Sequence, residues 1–181
     1  MRSWVALETV VVCAALSLGC GGESSESAGA ASPKGGLVGQ PAPDFAATSV
    51  ANGHGKVALA SLRGKVVLVD FWGTFCEPCK KSFPKLQDLY AKYQGSGLQV
   101  VGISEDEADD KSKIPEFATT YGAKFPLAWD ADKSIAEHYK PETMPSSFLV
   151  DKNGVVRYVH VGYHDGEEEQ LDKQIRELIG R

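Results

Sequence analysis

The segment "GKVVLVDFWGTFCEPCKKSFP", Gly64 to Pro84, constrains the fold more than any other part of the chain. Its first half, "GKVVLVDFW", is a nearly unbroken apolar run rich in valine, as expected of a strand covered on both faces in a parallel or mixed sheet. From Cys76 the period changes. Phe83, Leu86, Leu89, Tyr90 and Tyr93 recur at three- and four-residue steps with Lys80, Lys81, Lys85 and Lys92 between them, which predicts an amphipathic helix. Pro84 inside it predicts a kink. Two cysteines at a strand-to-helix junction leave three readings open: a structural staple, half of a metal clamp, or a reactive pair.

The rest of the chain repeats the alternation. "GLQVVGIS", Gly97 to Ser104, reads as a second buried strand, followed by the acidic "EDEADDK" and a helical stretch near Lys111 to Tyr121. "KSIAEHY", Lys133 to Tyr139, is a short helix. "SSFLVDKNGVVRYVHVG", Ser146 to Gly162, gives two strands joined at Asn153-Gly154, a strong hairpin signal, and these should pair antiparallel. The last segment has Asp165 as an expected N-cap, then Glu167, Glu168 and Glu169 in a first turn where the helix dipole favours acids. Leu171, Ile175, Leu178 and Ile179 fall on one face of it. Before the first buried strand, Gly39 to Leu62 holds two short alternating runs around a Gly-rich turn, an added N-terminal hairpin. The expectation is an α/β domain, a central mixed sheet flanked by helices.

The N-terminus reads separately. "MRSWVALETVVVCAALSLGC" has an early Arg2 and an apolar run from Val10 to Leu18, the pattern of a secretory signal. A membrane-spanning helix needs roughly 20 apolar residues, so this run should not persist as an anchor. The segment ends in Leu18-Gly19-Cys20 and resembles a bacterial lipoprotein signal, in which cleavage before Cys20 leaves a lipidated first residue; Ser17 stands where leucine is usual. Residues 1–19 are therefore expected to be a signal peptide, and residues 20–38, poor in large apolar side chains, a flexible tether. The domain is expected over residues 39–181, a size ordinary for one domain.

Composition limits the partners. A net charge of −5 with 43% hydrophobic and 24% charged residues gives no reason to expect nucleic acid. Cleavage before Cys20 discards Cys13, and lipidation of Cys20 leaves only Cys76 and Cys79 as thiols. A staple is then a weak reading, because one pair closing the shortest kind of loop constrains little. A zinc site lacks ligands: no second Cys-x-x-Cys exists, and His54, His138, His160 and His164 are scattered and expected at the surface. Covalent haem attachment requires histidine where Lys80 stands. Copper(I) suits soft thiolates, but no methionine or histidine is near to complete a site.

The reactive reading has a physical basis. A cysteine at a helix N-terminus is favoured as thiolate by unpaired N–H groups and the dipole, which suits Cys76 as nucleophile. Cys79, one turn later, can attack a mixed disulfide formed at Cys76. Taken together, "VVLVDFW", "CEPC", Pro84 and the proline of "TMPSSFLVD" resemble the thioredoxin superfamily. "FWGTFCEPCKKSFP", "PAPDF" and the added hairpin look like its extracytoplasmic, membrane-tethered ResA/TlpA-type branch, with a redoxin or AhpC/TSA-like domain. The resemblance covers roughly Gly39 to Arg181.

What the resemblance implies is a thioredoxin-like fold and a thiol-disulfide oxidoreductase that reduces extracytoplasmic protein disulfides, apocytochrome c before haem attachment among them. It would work as a monomer without bound cofactor or metal, recharged by a membrane electron donor. Cys76 matches the attacking cysteine, Cys79 the resolving one, and Pro145 a cis-proline that presents backbone to substrate. Trp72, Phe75 and Met144 fall at substrate-facing positions, with Phe75 where tryptophan is usual and Ser146 where threonine is. Asp70 sits in an apolar strand, where a charge costs several kcal/mol unless protonated or paired, and matches an acid that exchanges protons with the resolving thiol; ResA-type proteins often carry asparagine there. Glu77 beside Cys76 should destabilise the thiolate and favour the disulfide, an argument for a reductant. Glu107 is matched to an acid bordering the site, though the acidic run from Glu105 to Asp110 blurs its register. "PAPDF" also opens peroxiredoxins, the alternative activity, but these place threonine three residues before the reactive cysteine, whereas Thr74 is two before Cys76.

Overall fold

A computed structural model describes residues 36–180. Seven strands form one mixed sheet in the order β2-β1-β5-β4-β3-β6-β7. They are β1 (Ala46–Ala51), β2 (Lys56–Ala58), β3 (Val66–Trp72), β4 (Leu98–Ser104), β5 (Leu127–Trp129), β6 (Ser146–Val150) and β7 (Val156–Val161). The helices are α1 (Glu77–Tyr93), α2 (Ile114–Thr120), α3 (Ser134–Tyr139) and α4 (Glu167–Ile179). β3, β4 and β5 run parallel, while β6 and β7 form the expected antiparallel hairpin beside β3 and the N-terminal hairpin pairs with β5.

The reason β3 reads as a continuous apolar run is that all seven of its residues are buried. Val66, Leu68 and Trp72 enter a core with α1, α2 and α4, supplied by Phe83, Leu86, Phe117, Leu171 and Ile175. Val67, Val69 and Phe71 enter a second core on the opposite face, with Phe45, Leu59, Ile135 and Tyr139. Alternate side chains of a strand point to opposite faces, so a strand covered twice has no polar half. Asp70 is the exception, and it lies on the α1 and α4 side.

Several local expectations are corrected. β5 was not legible: three residues are too few to display a period. Pro84 does lie inside α1, where the helical period placed it. Asp165 does not cap α4; Gly166, in the left-handed region at φ 87°, occupies the N-cap with no side-chain bond to the helix. Near the start of the described residues, Leu37 packs against the second core and the Gly39 N–H donates to the Val156 carbonyl at 2.8 Å. The signal segment, Cys20 and most of the tether lie outside the described residues. Among the described residues no helix is long and apolar enough to cross a membrane.

Candidate active site

β3 ends at Trp72, and after Gly73-Thr74-Phe75 the chain enters α1 with Cys76 as its N-cap. Pro78 in the first turn suits a position whose N–H has no helical partner. Cys76 and Cys79 are joined as a disulfide with their Cα atoms 5.3 Å apart, and the Cys79 N–H donates to the Cys76 sulfur at 3.2 Å. Cys76 is 6% exposed and Cys79 not at all, so of the two only Cys76 offers surface to an incoming group. That Cys79 N–H is one of the orphan donors at a helix start, and its aim at sulfur is the geometry that stabilises a thiolate there.

The loop ahead of the cysteines is held by a residue that sequence reasoning missed. Asp106, fully buried, accepts from the Thr74 N–H at 3.0 Å and the Thr74 hydroxyl at 2.5 Å, and from the Ser104 hydroxyl at 2.7 Å. The carbonyls of Glu105 and Asp106 are in turn held by Lys133 and by the Trp129 indole N–H. Glu107, the acid matched from the sequence, points away: its side chain is 81% exposed and pairs with Lys133 at 3.4 Å. One step of register in an acidic run separates a buried anchor from a solvated charge. Glu105 carries a second consequence of this packing: burial first, then the nearby Asp130, push its carboxyl up to about 7.

Asp70 is fully buried. Its Oδ1 accepts from the Ser147 hydroxyl at 2.6 Å, and its Oδ2 has no partner among the described residues. Burial raises its pKa from 3.8 to about 7, against the Ser147 bond that lowers it, with Glu167 adding a smaller upward push.

The other matched residues divide. Trp72 is wholly inside, stacked against Phe83 and Phe117 with ring centroids 4.6 Å apart in each pair, so it backs the disulfide from the core and cannot face substrate. Phe75 is 61% exposed, and its ring lies so close over Gly73 that a Cβ there would fall 2.6 Å from it. The Met144–Pro145 bond is cis, with Pro145 buried and Met144 half-buried against the α1 core. Because Ser146 pairs with Phe71 in antiparallel register, this bond stands at the end of the sheet where β3 delivers the cysteines. The Pro145 carbonyl is already taken by the Gly162 N–H at 2.8 Å, so the backbone without a partner among the described residues is that of Met144. Glu77 is 78% exposed and bonded to Lys80 at 2.6 Å, which offsets and screens the charge it would bring to Cys76. His54, His138 and His164 are exposed, but the His160 side chain is only 9% exposed, contrary to the surface position expected for it.

The fold, with a disulfide at the start of a helix that follows the central strand, is that of a thioredoxin-like thiol-disulfide oxidoreductase. Comparison with known proteins agrees. The profile of the AhpC/TSA family matches residues 38–159, and the chain belongs to that family. It is 36% identical over 141 residues to thiol-disulfide oxidoreductase ResA of Bacillus thuringiensis (strain Al Hakam), covering 78% of each chain. With ResA of Bacillus subtilis (strain 168) it shares 35% identity over 124 residues, 68% of this chain and 67% of that one. Among solved structures it is similar to a putative thiol:disulfide interchange protein DsbE from Chlorobium tepidum, with a TM-score of 0.72 and 36% identity over 79% of this chain and 98% of that one.

Proposed function

We propose that the protein reduces disulfides of extracytoplasmic proteins, with Cys76 as the attacking thiol and Cys79 as the resolving thiol. The observation that carries this reading is the pairing of Cys76, the more accessible sulfur, with a helix N–H donor, against a Cys79 that is sealed from solvent. The Cys76 thiolate attacks a substrate disulfide; one substrate sulfur leaves as thiolate and takes a proton from solvent. Cys79 then loses its proton to Asp70 and attacks the Cys76 sulfur of the mixed disulfide, releasing the second substrate thiolate. Two electrons have passed to the substrate, and the oxidised pair is recharged by a dithiol of a membrane electron carrier.

Phe75 and Met144 form the apolar rim against which substrate lies, with the unpaired Met144 backbone beside Pro145 available for strand-like pairing. Cys20 is proposed as the lipid-bearing residue after cleavage of residues 1–19, with residues 20–38 as tether to the membrane. Apocytochrome c is the substrate to test first, on the strength of the ResA-type resemblance. A Cys79→Ser variant should accumulate as a mixed disulfide with its substrates, whereas Cys76→Ser should trap nothing. The redox potential of the pair tests direction: a value near the roughly −120 mV of a strong oxidant would exclude a reductant. The Thr74 hydroxyl is committed to Asp106, which favours disulfide exchange over peroxide reduction; a peroxide-turnover assay distinguishes the two.

A further inference from the structure

The face of the sheet beneath α4 carries one polar row in an otherwise apolar core. Asp70 on β3 is paired with Ser147 on β6, and Ser147 is paired with His160 on β7, so the three side chains stand side by side from the centre of the sheet to its edge. The Ser147 hydroxyl donates to Asp70 and keeps its lone pairs free for a further donor.

Beside Ser147 lies a cavity between α1, Pro145 and α4 that admits about 20 Å³ of solvent, with Ser82 and Glu167 also in its wall. That is room for one water against polar groups. Glu167 in turn accepts from His160 Nδ1 at 3.1 Å and from the His164 backbone N–H at 3.1 Å, while His160 Nε2 meets Gln174 Oε1 at 2.7 Å. Both ring nitrogens face acceptors, the arrangement that satisfies a protonated imidazole. His160, Glu167 and Gln174 also line a cleft of about 600 Å³ open to solvent.

We propose that Ser147, Glu167 and His160 form a proton conduit under α4 that connects Asp70 with the solvent. The proposal rests on the reading of Asp70 as the proton acceptor of Cys79. As the intramolecular disulfide forms, the Cys79 proton passes to Asp70. Ser147 then turns its hydroxyl, accepts from Asp70 and gives its own proton to solvent in the cavity, from which it reaches Glu167, His160 and the outer cleft. No electron moves along this path; those two go to the substrate, and re-reduction of the pair draws a proton back the same way. Of the ionisable groups around the row, Glu167 from α4 acts on Asp70 and bonds His160 from β7, Cys79 from α1 shares the core with Leu68 and Trp72 on the Asp70 face of β3, and β4 contributes only Gly102 opposite Asp70. Lys85, Tyr163 and Glu168 stand at the cavity rim, with Lys85 paired to Glu168 at 3.1 Å.

The test follows single-turnover oxidation of the reduced full chain by a small aromatic disulfide, from about pH 5 to about pH 9, in the wild type and in Asp70→Asn, Ser147→Ala, Ser147→Thr and Glu167→Gln. Ser147→Ala and Glu167→Gln are expected to slow the resolving step at least about tenfold, and Ser147→Thr, which keeps the hydroxyl, to restore it. The Ser147 bond lowers the Asp70 pKa and the Glu167 charge raises it, so Ser147→Ala and Glu167→Gln shift it in opposite senses. A slowing of both oxidation and re-reduction that the two variants share marks the conduit, whereas effects of opposite sign mark an action on the Asp70 pKa alone and overturn it.

Rates and pH profiles within about twofold of wild type for Ser147→Ala and Glu167→Gln, with Asp70→Asn altered, overturn the conduit and leave the role of Asp70 standing. A wild-type profile in Asp70→Asn refutes that role and the conduit with it. Should Ser147→Ala fail to fold, Glu167→Gln, in the first turn of α4, decides with Asp70→Asn as its reference.

Discussion

Replacing Asp70 by asparagine should stabilise the oxidised protein by an amount that depends on pH. A carboxyl whose pKa rises from 3.8 unfolded to about 7 folded holds its proton longer in the native state. Its contribution is therefore fully present below the unfolded value and is lost as pH rises through the folded one. The interval spans some three pH units at about 1.4 kcal/mol each, so burial of Asp70 costs up to about 4 kcal/mol at neutral to alkaline pH. Asparagine is neutral throughout and its amide oxygen can still accept from Ser147 Oγ. The variant should match the wild type near pH 4, gain stability steadily above it, and level off above about pH 7. Urea unfolding of both oxidised proteins at a series of pH values measures the difference directly. Glu105, which also titrates near 7, is common to both and cancels. A difference that is flat from about pH 4 to about pH 8, or a variant that is less stable than the wild type at the alkaline end, would refute the assignment of Asp70 as a buried carboxyl whose charge burial disfavours.

Other outcomes follow from the same geometry. Asp106→Ala strips the Thr74 loop of its acceptors and should cost about 3 kcal/mol in urea unfolding, with slowed disulfide exchange, because the loop sets the position of Cys76. His160 has a raised pKa: burial pulls it down, but the bonds to Glu167 and Gln174 outweigh it. Its contribution is full below about pH 6.5 and fades as pH rises through the folded value, so His160→Gln should lower the melting temperature more in mild acid than at alkaline pH. Gly102→Ala would set a Cβ 2.6 Å from Leu127 and 2.9 Å from the Trp72 indole nitrogen, an overpacking expected to cost about 1–3 kcal/mol in denaturant unfolding. Phe75→Ala, at an exposed position, should leave unfolding within about 0.5 kcal/mol of wild type but raise KM for protein substrates.

Much of the architecture was legible because its signals are local. Valine-rich β3, the helical period after Cys76, and the Asn153-Gly154 turn each declare themselves within a few residues, and each is found where it was expected. The cysteine pair at the strand-to-helix junction belongs to the same class, since the helix start and its orphan N–H groups are properties of the segment itself.

What escaped is non-local. Asp106 and Glu107 are adjacent acids, and only the approach of the Thr74 loop from another strand makes one an anchor and leaves the other in solvent. Trp72 and Phe75 are both aromatics beside the cysteines, yet the Phe83 and Phe117 rings from α1 and α2 enclose the first and nothing encloses the second. His160 has no sequence feature that separates it from three exposed histidines; its burial comes from α4 lying across β7.

From the chain alone come the sheet-and-helix alternation, the reactive pair and its place at a helix N-terminus, because periodicity, turn chemistry and cysteine spacing act over a few bonds. Which carboxyl is buried, which aromatic is left exposed, and the polar row from Asp70 through Ser147 to His160 come from packing. Those depend on strand register and helix docking between segments up to 90 residues apart, from Asp70 on β3 to His160 on β7, where solvent exclusion rather than local pattern sets the chemistry of each group.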